Sequence, residues 1–256
     1  MMNYFTVKHD DSSYINCDSI AYFANTNERF LEAPIRGIVI EFPGLGGGSC
    51  LGGTMERGDY GSERARAFAK QGIVTAYLFT GLWSWGNRGA VRTADAIVSA
   101  LAHKYSLAKG FPLVASGGSM GGVGALNYAT DTRYPLRGVV ASCPCVDVLD
   151  RFNCHPDFPR TYISAVAELD MPFEDGLRSI SPIERTAEMP FVPYFICSNG
   201  EDEVFPEEQC GEYVAALRRL GHNVTYYPQP GLEHGDFFPE VRQAMREFML
   251  KCILQE

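Results

Sequence analysis

The stretch VASGGSMGGVGAL, residues 114–126, joins a short apolar run to an amphipathic run through glycines gathered around one serine. Five of the eight residues from 117 to 124 are glycine. Glycine at this density costs backbone entropy and marks a turn whose geometry a Cβ atom would forbid. The preceding FPLVAS predicts a buried strand and the following MGGVGALNYATD a helix. Residues 117–121 are therefore G-x-S-x-G at a strand-to-helix turn, which projects the Ser119 hydroxyl from the edge of a sheet.

A glycine-rich turn between a strand and a helix can instead bind phosphate at the helix N-terminus. The Gly-Lys-Ser/Thr ending of a P-loop is absent from this turn, and its spacing does not match G-x-G-x-x-G. The nucleophile interpretation is therefore favoured over the phosphate site.

Apolar runs alternate with amphipathic runs along most of the chain, which predicts an α/β fold with a mostly parallel sheet flanked by helices. The predicted strands are 36–42, 73–79, 111–116, 137–143, 192–198 and 223–228, with antiparallel edge segments at 4–8 and 18–24. Besides the helix after Ser119, helices are predicted over 62–72, 90–106, 206–221 and 239–254. Residues 145–190 break the alternation and are interpreted as a small cap-like insertion. With no repeat or long linker, residues 1–256 are expected to form a single domain.

A nucleophilic serine needs a base, and the base needs an orienting acid. His234 lies between the last strand and the last helix, at the edge where parallel strands end. Asp202, with Glu201 and Glu203 on either side, follows the strand at 192–198. The order Ser119, Asp202, His234 is that of the α/β-hydrolase fold. The other histidines, which are expected to be structural or solvated, are His9, His103, His155 and His222.

Acyl transfer also needs donors for the oxyanion. One is the N–H of Met120, the residue after the nucleophile. The other is expected in the glycine-rich loop after strand 36–42, from the N–H of Leu45 with Gly46 as a second candidate.

The substrate pocket is predicted from the insertion and the loop TGLWSWGNRG. Trp83, Trp85 and Phe158 are proposed as apolar walls, with Arg88 or Arg160 as polar contacts. The competing interpretation is that the tryptophans cover the core. Four acidic residues of the insertion can be interpreted as an amine-binding cluster or as a solvated face, namely Glu168, Asp170, Glu174 and Asp175.

The composition narrows the classes of partner. The 256 residues carry a formal charge of −9 without a basic stripe, which argues against nucleic-acid binding. The N-terminal residues lack signal-peptide features and no apolar run is long enough to span a membrane, so a cytoplasmic protein without a membrane partner is expected. The eight cysteines are expected to be buried free thiols. The run Cys143, Cys145, Cys154 and His155 lacks paired C-x₂-C spacing, so no metal and no cofactor are expected. The sequence leaves a homodimer open.

The chain resembles the prolyl-oligopeptidase-like serine hydrolases of the α/β-hydrolase superfamily. The resemblance rests on GGSMGG, SPIERTAEMPFVPYFICSNGEDEVFP and EHGDF, and covers roughly residues 36 to 254. It implies an eight-stranded, mostly parallel sheet and assigns nucleophile, acid and base to Ser119, Asp202 and His234. The chain departs from the pattern in two places: the oxyanion loop is P-G-L-G-G rather than H-G-G-G, and Glu flanks the acid on both sides. A propeller domain like that of the large peptidases is not expected within these 256 residues.

Three functions are compatible with the sequence. The favoured one is a serine hydrolase that cleaves a carboxylic ester or small amide, with short peptides as the alternative substrate. An inactive binding module on the same fold is the second, and a phosphate-binding or redox α/β protein the third. An ester is preferred because an alkoxide leaves more readily than an amine and asks less of the general acid.

Overall fold

One seven-stranded sheet runs through the part of the chain that the computed structural model describes, which is residues 15–45, 60–167 and 169–254. The strand order is β1-β3-β2-β4-β5-β6-β7. β1 pairs antiparallel with β3, and the other neighbouring strands pair in parallel. The bounds are β1 Ala24–Thr26, β2 Gly37–Phe42, β3 Ile73–Leu78, β4 Leu113–Gly118, β5 Gly138–Ser142, β6 Tyr194–Asn199 and β7 Val224–Gln229.

Helices cover both faces of this sheet, as buried parallel strands require. They are α1 Glu63–Ala69, α2 Arg88–Lys104, α3 Met120–Asp131, α4 Val148–Cys154, α5 Pro159–Val166, α6 Phe173–Ser179, α7 Glu207–Arg219 and α8 Pro239–Leu254. Phe68 of α1 and Met249 of α8 share one apolar cluster with the strands. Ile97 of α2, Leu126 of α3 and Leu217 of α7 belong to the cluster on the other face.

The predicted α/β fold is confirmed, and its six parallel strands, β2 to β7, start and end within two residues of the predicted positions. The edge differs. Within the predicted segment 18–24, residues Ile20–Tyr22 form a 3₁₀ turn that buries Ile20, and only Ala24–Thr26 pairs with β3. The segment 4–8 lies outside the described residues, so the expected eighth strand is not found among them.

The insertion folds into three short helices, α4 to α6, between β5 and β6. Their apolar side chains form a cluster with Trp85, Met120 and Phe205, separate from the two sheet cores. The buried Asn127 of α3 ties this layer down, since its amide donates to the carbonyls of Trp85 and Ile180 at 3.2 and 3.0 Å. The insertion therefore sits on the carboxyl edge of the sheet, where Ser119 lies. Within the described ranges, no helix is long and apolar enough to cross a membrane.

Candidate active site

Ser119 occupies a strained turn between β4 and α3. Its φ of 58° and ψ of −129° lie where a residue with a side chain is seldom found, and such conformations persist only where the surrounding structure enforces them. The N–H of Ser119 donates to the carbonyl of Ser142 at 2.9 Å, and the Ser119 carbonyl accepts from Gly122 at 2.9 Å. The turn predicted from the glycines is therefore present, and it holds the hydroxyl at the carboxyl edge.

The two glycines of G-x-S-x-G are needed for packing. A Cβ on Gly117 would lie 2.1 Å from the carbonyl oxygen of Gly121, and a Cβ on Gly121 would lie 2.2 Å from that of Phe42. Both contacts are with backbone, which cannot move aside as a flexible side chain can. The glycines let α3 approach β2 and β4 closely enough to fix the serine between them.

His234 reaches the serine from the loop between β7 and α8. Its Nε2 lies 3.0 Å from Ser119 Oγ. The Asn199 amide holds this loop by donating to the carbonyls of Glu233 and Asp236, and Gln229 in turn donates to Asn199 Oδ1 at 2.7 Å. These two buried amides were missed by sequence reasoning. The only available signal was their position at the last residue of β6 and of β7.

Asp202 completes the arrangement. Its Oδ2 lies 2.7 Å from His234 Nδ1, and its Oδ1 accepts from the backbone N–H groups of Val204 and Phe205, both at 2.9 Å. The Asp202 side chain has no exposed surface, whereas Glu201 and Glu203 are exposed. Of the three acidic residues in this loop, the middle one therefore faces the imidazole.

The segments that carry the two expected oxyanion donors both adjoin Ser119. Met120 is the first residue of α3, so its N–H has no acceptor within the helix. Leu45 follows Gly44, and an ideal Cβ on Gly44 would lie 4.0 Å from Ser119 Cβ, which brings this loop against the serine. Gly46 lies outside the described residues.

The base of the Leu45 loop carries a polar cluster that sequence reasoning missed. Glu41 of β2 accepts a hydrogen bond from Tyr60 Oη at 2.8 Å and pairs with the Arg64 guanidinium of α1. In sequence, Glu41 precedes the segment that contains Leu45 and Tyr60 follows it. The hydrogen bond between these two residues therefore holds the two ends of the segment together. A glutamate inside the apolar run IVIEF was the available signal.

A cavity of about 1090 Å³ adjoins the site. Ser119, His234 and Cys143 line it together with residues of α1 and α8. Burial raises the pKa of the Cys143 thiol to about 11. This thiol is therefore protonated at neutral pH.

The predicted pocket walls lie elsewhere among the described residues. Trp85 is fully buried, its indole N–H donates to Thr161 Oγ1 at 3.0 Å, and its ring packs against Phe158 and Tyr162. The structure thus supports the core interpretation for Trp85, and Phe158, predicted as a pocket wall, is buried as well. Both rings pack against Phe205, whose ring centroid is 5.2 Å from that of His234. They therefore support the site from behind and do not line it.

The remaining pocket candidates are dispersed. Trp83 is 43% exposed and Arg160 is exposed. Arg88 begins α2 and lines a different, smaller cleft with Asp131 and Arg185, and Ser119 does not line that cleft. Of the acidic cluster, Asp170, Glu174 and Asp175 are exposed, and Glu174 pairs with Arg178; Glu168 lies outside the described residues.

The other histidines in the described part of the chain have packing or surface environments. His155 stacks on Phe158 with ring centroids 3.9 Å apart, and His222 stacks on Phe191 at 4.5 Å. His103 is exposed, with its Nδ1 3.4 Å from Cys17 Sγ. His9 lies outside the described residues.

The run of cysteines near residue 145 is not gathered into one ligand set. Cys145 Sγ lies 3.3 Å from Tyr162 Oη, and Cys154 Sγ lies 3.5 Å from Asp150 Oδ1. All seven cysteines that the structure describes are free.

Solved structures share this fold at low sequence identity. A puromycin hydrolase superposes with a TM-score of 0.68 at 22% identity, over 86% of this chain and 34% of its own. An acylaminoacyl peptidase from Pyrococcus horikoshii gives 0.69 at 16%, over 88% and 38%. Esterase B from Lactobacillus Rhamnosis (HN001) gives 0.64 at 14%, over 87% and 76%. The chain thus spans about a third of the length of the first two. None of the curated proteins matches it in sequence.

A family model gives the stronger evidence. The model of the prolyl oligopeptidase family matches residues 84–255, which is about two thirds of the chain and includes Ser119, Asp202 and His234. Together with the shared fold, this match shows that the chain belongs to the prolyl oligopeptidase family.

Proposed function

We propose that this chain is a serine hydrolase that cleaves carboxylic esters through an acyl-enzyme on Ser119. The observation that carries the proposal is the pair of short contacts on one imidazole. His234 Nε2 is 3.0 Å from Ser119 Oγ, and His234 Nδ1 is 2.7 Å from Asp202 Oδ2. A nucleophile within hydrogen-bond reach of a base, whose other nitrogen is held by a buried acid, is the arrangement that activates a hydroxyl.

In the acylation half-reaction, Ser119 Oγ attacks the ester carbonyl while its proton passes to His234 Nε2. Asp202 Oδ2 accepts the hydrogen bond from Nδ1–H, which keeps Nε2 unprotonated before the attack and stabilises the imidazolium after it. The carbonyl oxygen becomes an oxyanion between the N–H groups of Met120 and Leu45. The imidazolium then donates its proton to the departing alcohol, and Ser119 carries the acyl group.

In the deacylation half-reaction, His234 takes a proton from water, and the resulting hydroxide equivalent attacks the acyl carbon. The same two N–H groups hold the second oxyanion. Collapse of the tetrahedral intermediate breaks the bond to Ser119 Oγ, which takes back the proton from His234. Each such donor is worth about 10²- to 10³-fold in rate, because it meets negative charge that exists only near the transition state.

Esters are proposed over amides because the alkoxide leaves with less help from His234. The exposed positions of Asp170 and Asp175 favour a solvated face over an amine-binding cluster. The second candidate is a small-peptide peptidase. It is favoured by two of the structural neighbours, which are a puromycin hydrolase and an acylaminoacyl peptidase. An inactive binding module on the same fold is the remaining alternative.

We also propose that the chain forms a single domain and acts in the cytoplasm. Its substrate is a small ester or a short peptide, and it binds neither nucleic acid nor a membrane. Trp83 remains a candidate for substrate contact because it is exposed in the loop before α2.

The test compares a p-nitrophenyl ester and a p-nitroanilide that share one acyl group. We expect kcat/KM to be higher for the ester, and Ser119→Ala to reduce turnover by about 10⁶-fold. Asp170→Asn is the matched variant for the peptidase alternative. An aminoacyl anilide that is hydrolysed as fast as its ester, with activity lost in Asp170→Asn, would favour a peptidase. Turnover in Ser119→Ala within about tenfold of wild type would reject the acyl-enzyme altogether.

A further inference from the structure

A thiol that the proposed mechanism does not use lies beside the imidazole and its acid. Cys143, Asp202 and His234 each offer one ligand atom, and these atoms all lie within 4.8 Å of one another. In the described ranges this is the one group of three or more metal-ligand side chains so close together. The three residues are far apart in sequence, at positions 143, 202 and 234, which is why ligand spacing along the chain did not suggest them.

The backbone holds the thiol in this place. Cys143 directly follows β5 and has a φ of 43°, a conformation that residues with side chains rarely adopt. Its N–H donates to the Cys197 carbonyl at 2.8 Å. Its sulfur lies within 4.8 Å of a ring nitrogen of His234, so the loop that carries the base lies beside the thiol.

The three donors suit a thiophilic cation. Zn²⁺ binds thiolate, imidazole and carboxylate at about 2.0–2.3 Å, and with three protein ligands it keeps a fourth position for water. Softer N/S sites of this kind also take Cd²⁺, whereas Mg²⁺ and Ca²⁺ prefer oxygen ligands. Ligand atoms at most 4.8 Å apart need only small side-chain movements to surround one ion. Cys143 and His234 also line the cavity at Ser119, which provides a path for entry.

We propose that Cys143, Asp202 and His234 form an inhibitory binding site for Zn²⁺ or a similar thiophilic divalent cation. Binding exchanges the thiol proton for a sulfur–metal bond and releases that proton to solvent. If Nδ1 is the imidazole ligand, its proton is also displaced and the contact with Asp202 is lost. If Nε2 is the ligand, the contact with Ser119 is lost. Both nitrogens are needed in the proposed acyl transfer, so either geometry stops it.

Inhibition rests on the proposed hydrolase activity, whereas metal binding does not, and the two are therefore measured separately. Inhibition is followed with the p-nitrophenyl ester during titration with ZnCl₂, and each variant is normalised to its own metal-free rate. Wild type and Cys154→Ala, which lacks an exposed thiol outside the site, are expected to share one inhibition constant. Cys143→Ala is expected to raise that constant by at least about tenfold, as loss of a metal-site group does.

Binding is followed in Ser119→Ala, where no hydrolysis is needed, through the ultraviolet absorption of a sulfur–cadmium bond during titration with CdCl₂. We expect one equivalent of Cd²⁺ to produce this absorption, and the double variant Ser119→Ala/Cys143→Ala to lose it. An unchanged signal in the double variant, or equal zinc inhibition of wild type and Cys143→Ala, would overturn the proposal. If wild type hydrolyses no ester but the Cys143-dependent cadmium signal is present, the site stands and the proposed function fails.

Discussion

Replacing Asp202 by Asn tests the arrangement at His234 most sharply, because the structure dictates how the amide must sit. Oδ1 of Asp202 accepts from the N–H groups of Val204 and Phe205, and Oδ2 faces His234 Nδ1. The asparagine oxygen is expected to take the Oδ1 place, which turns the NH₂ group toward the imidazole. His234 Nδ1 must then accept, its proton moves to Nε2, and Nε2 can no longer take the proton of Ser119.

The structure also gives the size of this effect. Rotating the amide back would leave two buried N–H donors without acceptors, at about 1–3 kcal/mol each. The productive orientation is therefore disfavoured by about 2–6 kcal/mol, a rate loss of roughly 30-fold to 10⁴-fold. Loss of the carboxylate charge beside the imidazolium adds to it, so we expect kcat to fall by about 10³- to 10⁴-fold with the melting temperature nearly unchanged.

Steady-state kinetics on the p-nitrophenyl ester measure this loss, with thermal unfolding as the check on folding. Glu203→Gln is the matched control, because Glu203 is adjacent in sequence but exposed. A mild effect of Asp202→Asn, within about tenfold of wild type, together with a crippling Glu203→Gln would refute the assignment of the acid.

Three further predictions concern the supports of the site. Gly121→Ala should lower the free energy of unfolding by about 3 kcal/mol or more, because the added Cβ would meet the Phe42 carbonyl. The control, Gly211→Ala in α7, has room for a Cβ and should raise the free energy of unfolding by up to about 1 kcal/mol. Chemical denaturation measures both variants. Glu41→Gln should lower kcat by about tenfold at similar KM, by loosening the loop of the Leu45 donor, and equal loss in the exposed Glu63→Gln would contradict this. Trp85→Ala should lower the free energy of unfolding by about 3–5 kcal/mol without changing the preferred ester chain length. A changed chain-length preference with unchanged stability would support Trp85 as a wall of the substrate pocket instead.

Much of the site could be predicted because its turn and loops have recognisable local sequence patterns. The glycines around Ser119 mark the turn, and alternation of apolar and amphipathic runs places the loops of Asp202 and His234 at the same edge of the sheet. The order of strands and helices along the chain therefore predicts that these three residues, distant in sequence, meet at one edge of the sheet. The choice of Asp202 over Glu201 and Glu203 also agrees with the observed burial.

The remainder depends on tertiary packing, which residue type does not reveal. The sequence does not distinguish an exposed tryptophan from a buried one, and Trp85 lies in the core because it packs against Phe158, Tyr162 and Phe205 in the folded chain. Asn199 and Gln229 lie thirty residues apart, so no local pattern predicts that they bond each other and hold the His234 loop. Cys143 was expected to be a packing thiol, and its closeness to the imidazole follows from a φ of 43° that the sequence does not display.

The role of Ser119 as nucleophile is tested most directly by reaction of the folded chain with a fluorophosphonate, followed by mass mapping of the modified peptide. We predict one phosphonyl group, bonded to Ser119 Oγ, with labelling absent in Ser119→Ala and slowed by orders of magnitude in His234→Ala. Labelling of the folded wild-type protein at another residue, or an equal labelling rate in His234→Ala, would contradict the claim that His234 activates Ser119 as a nucleophile.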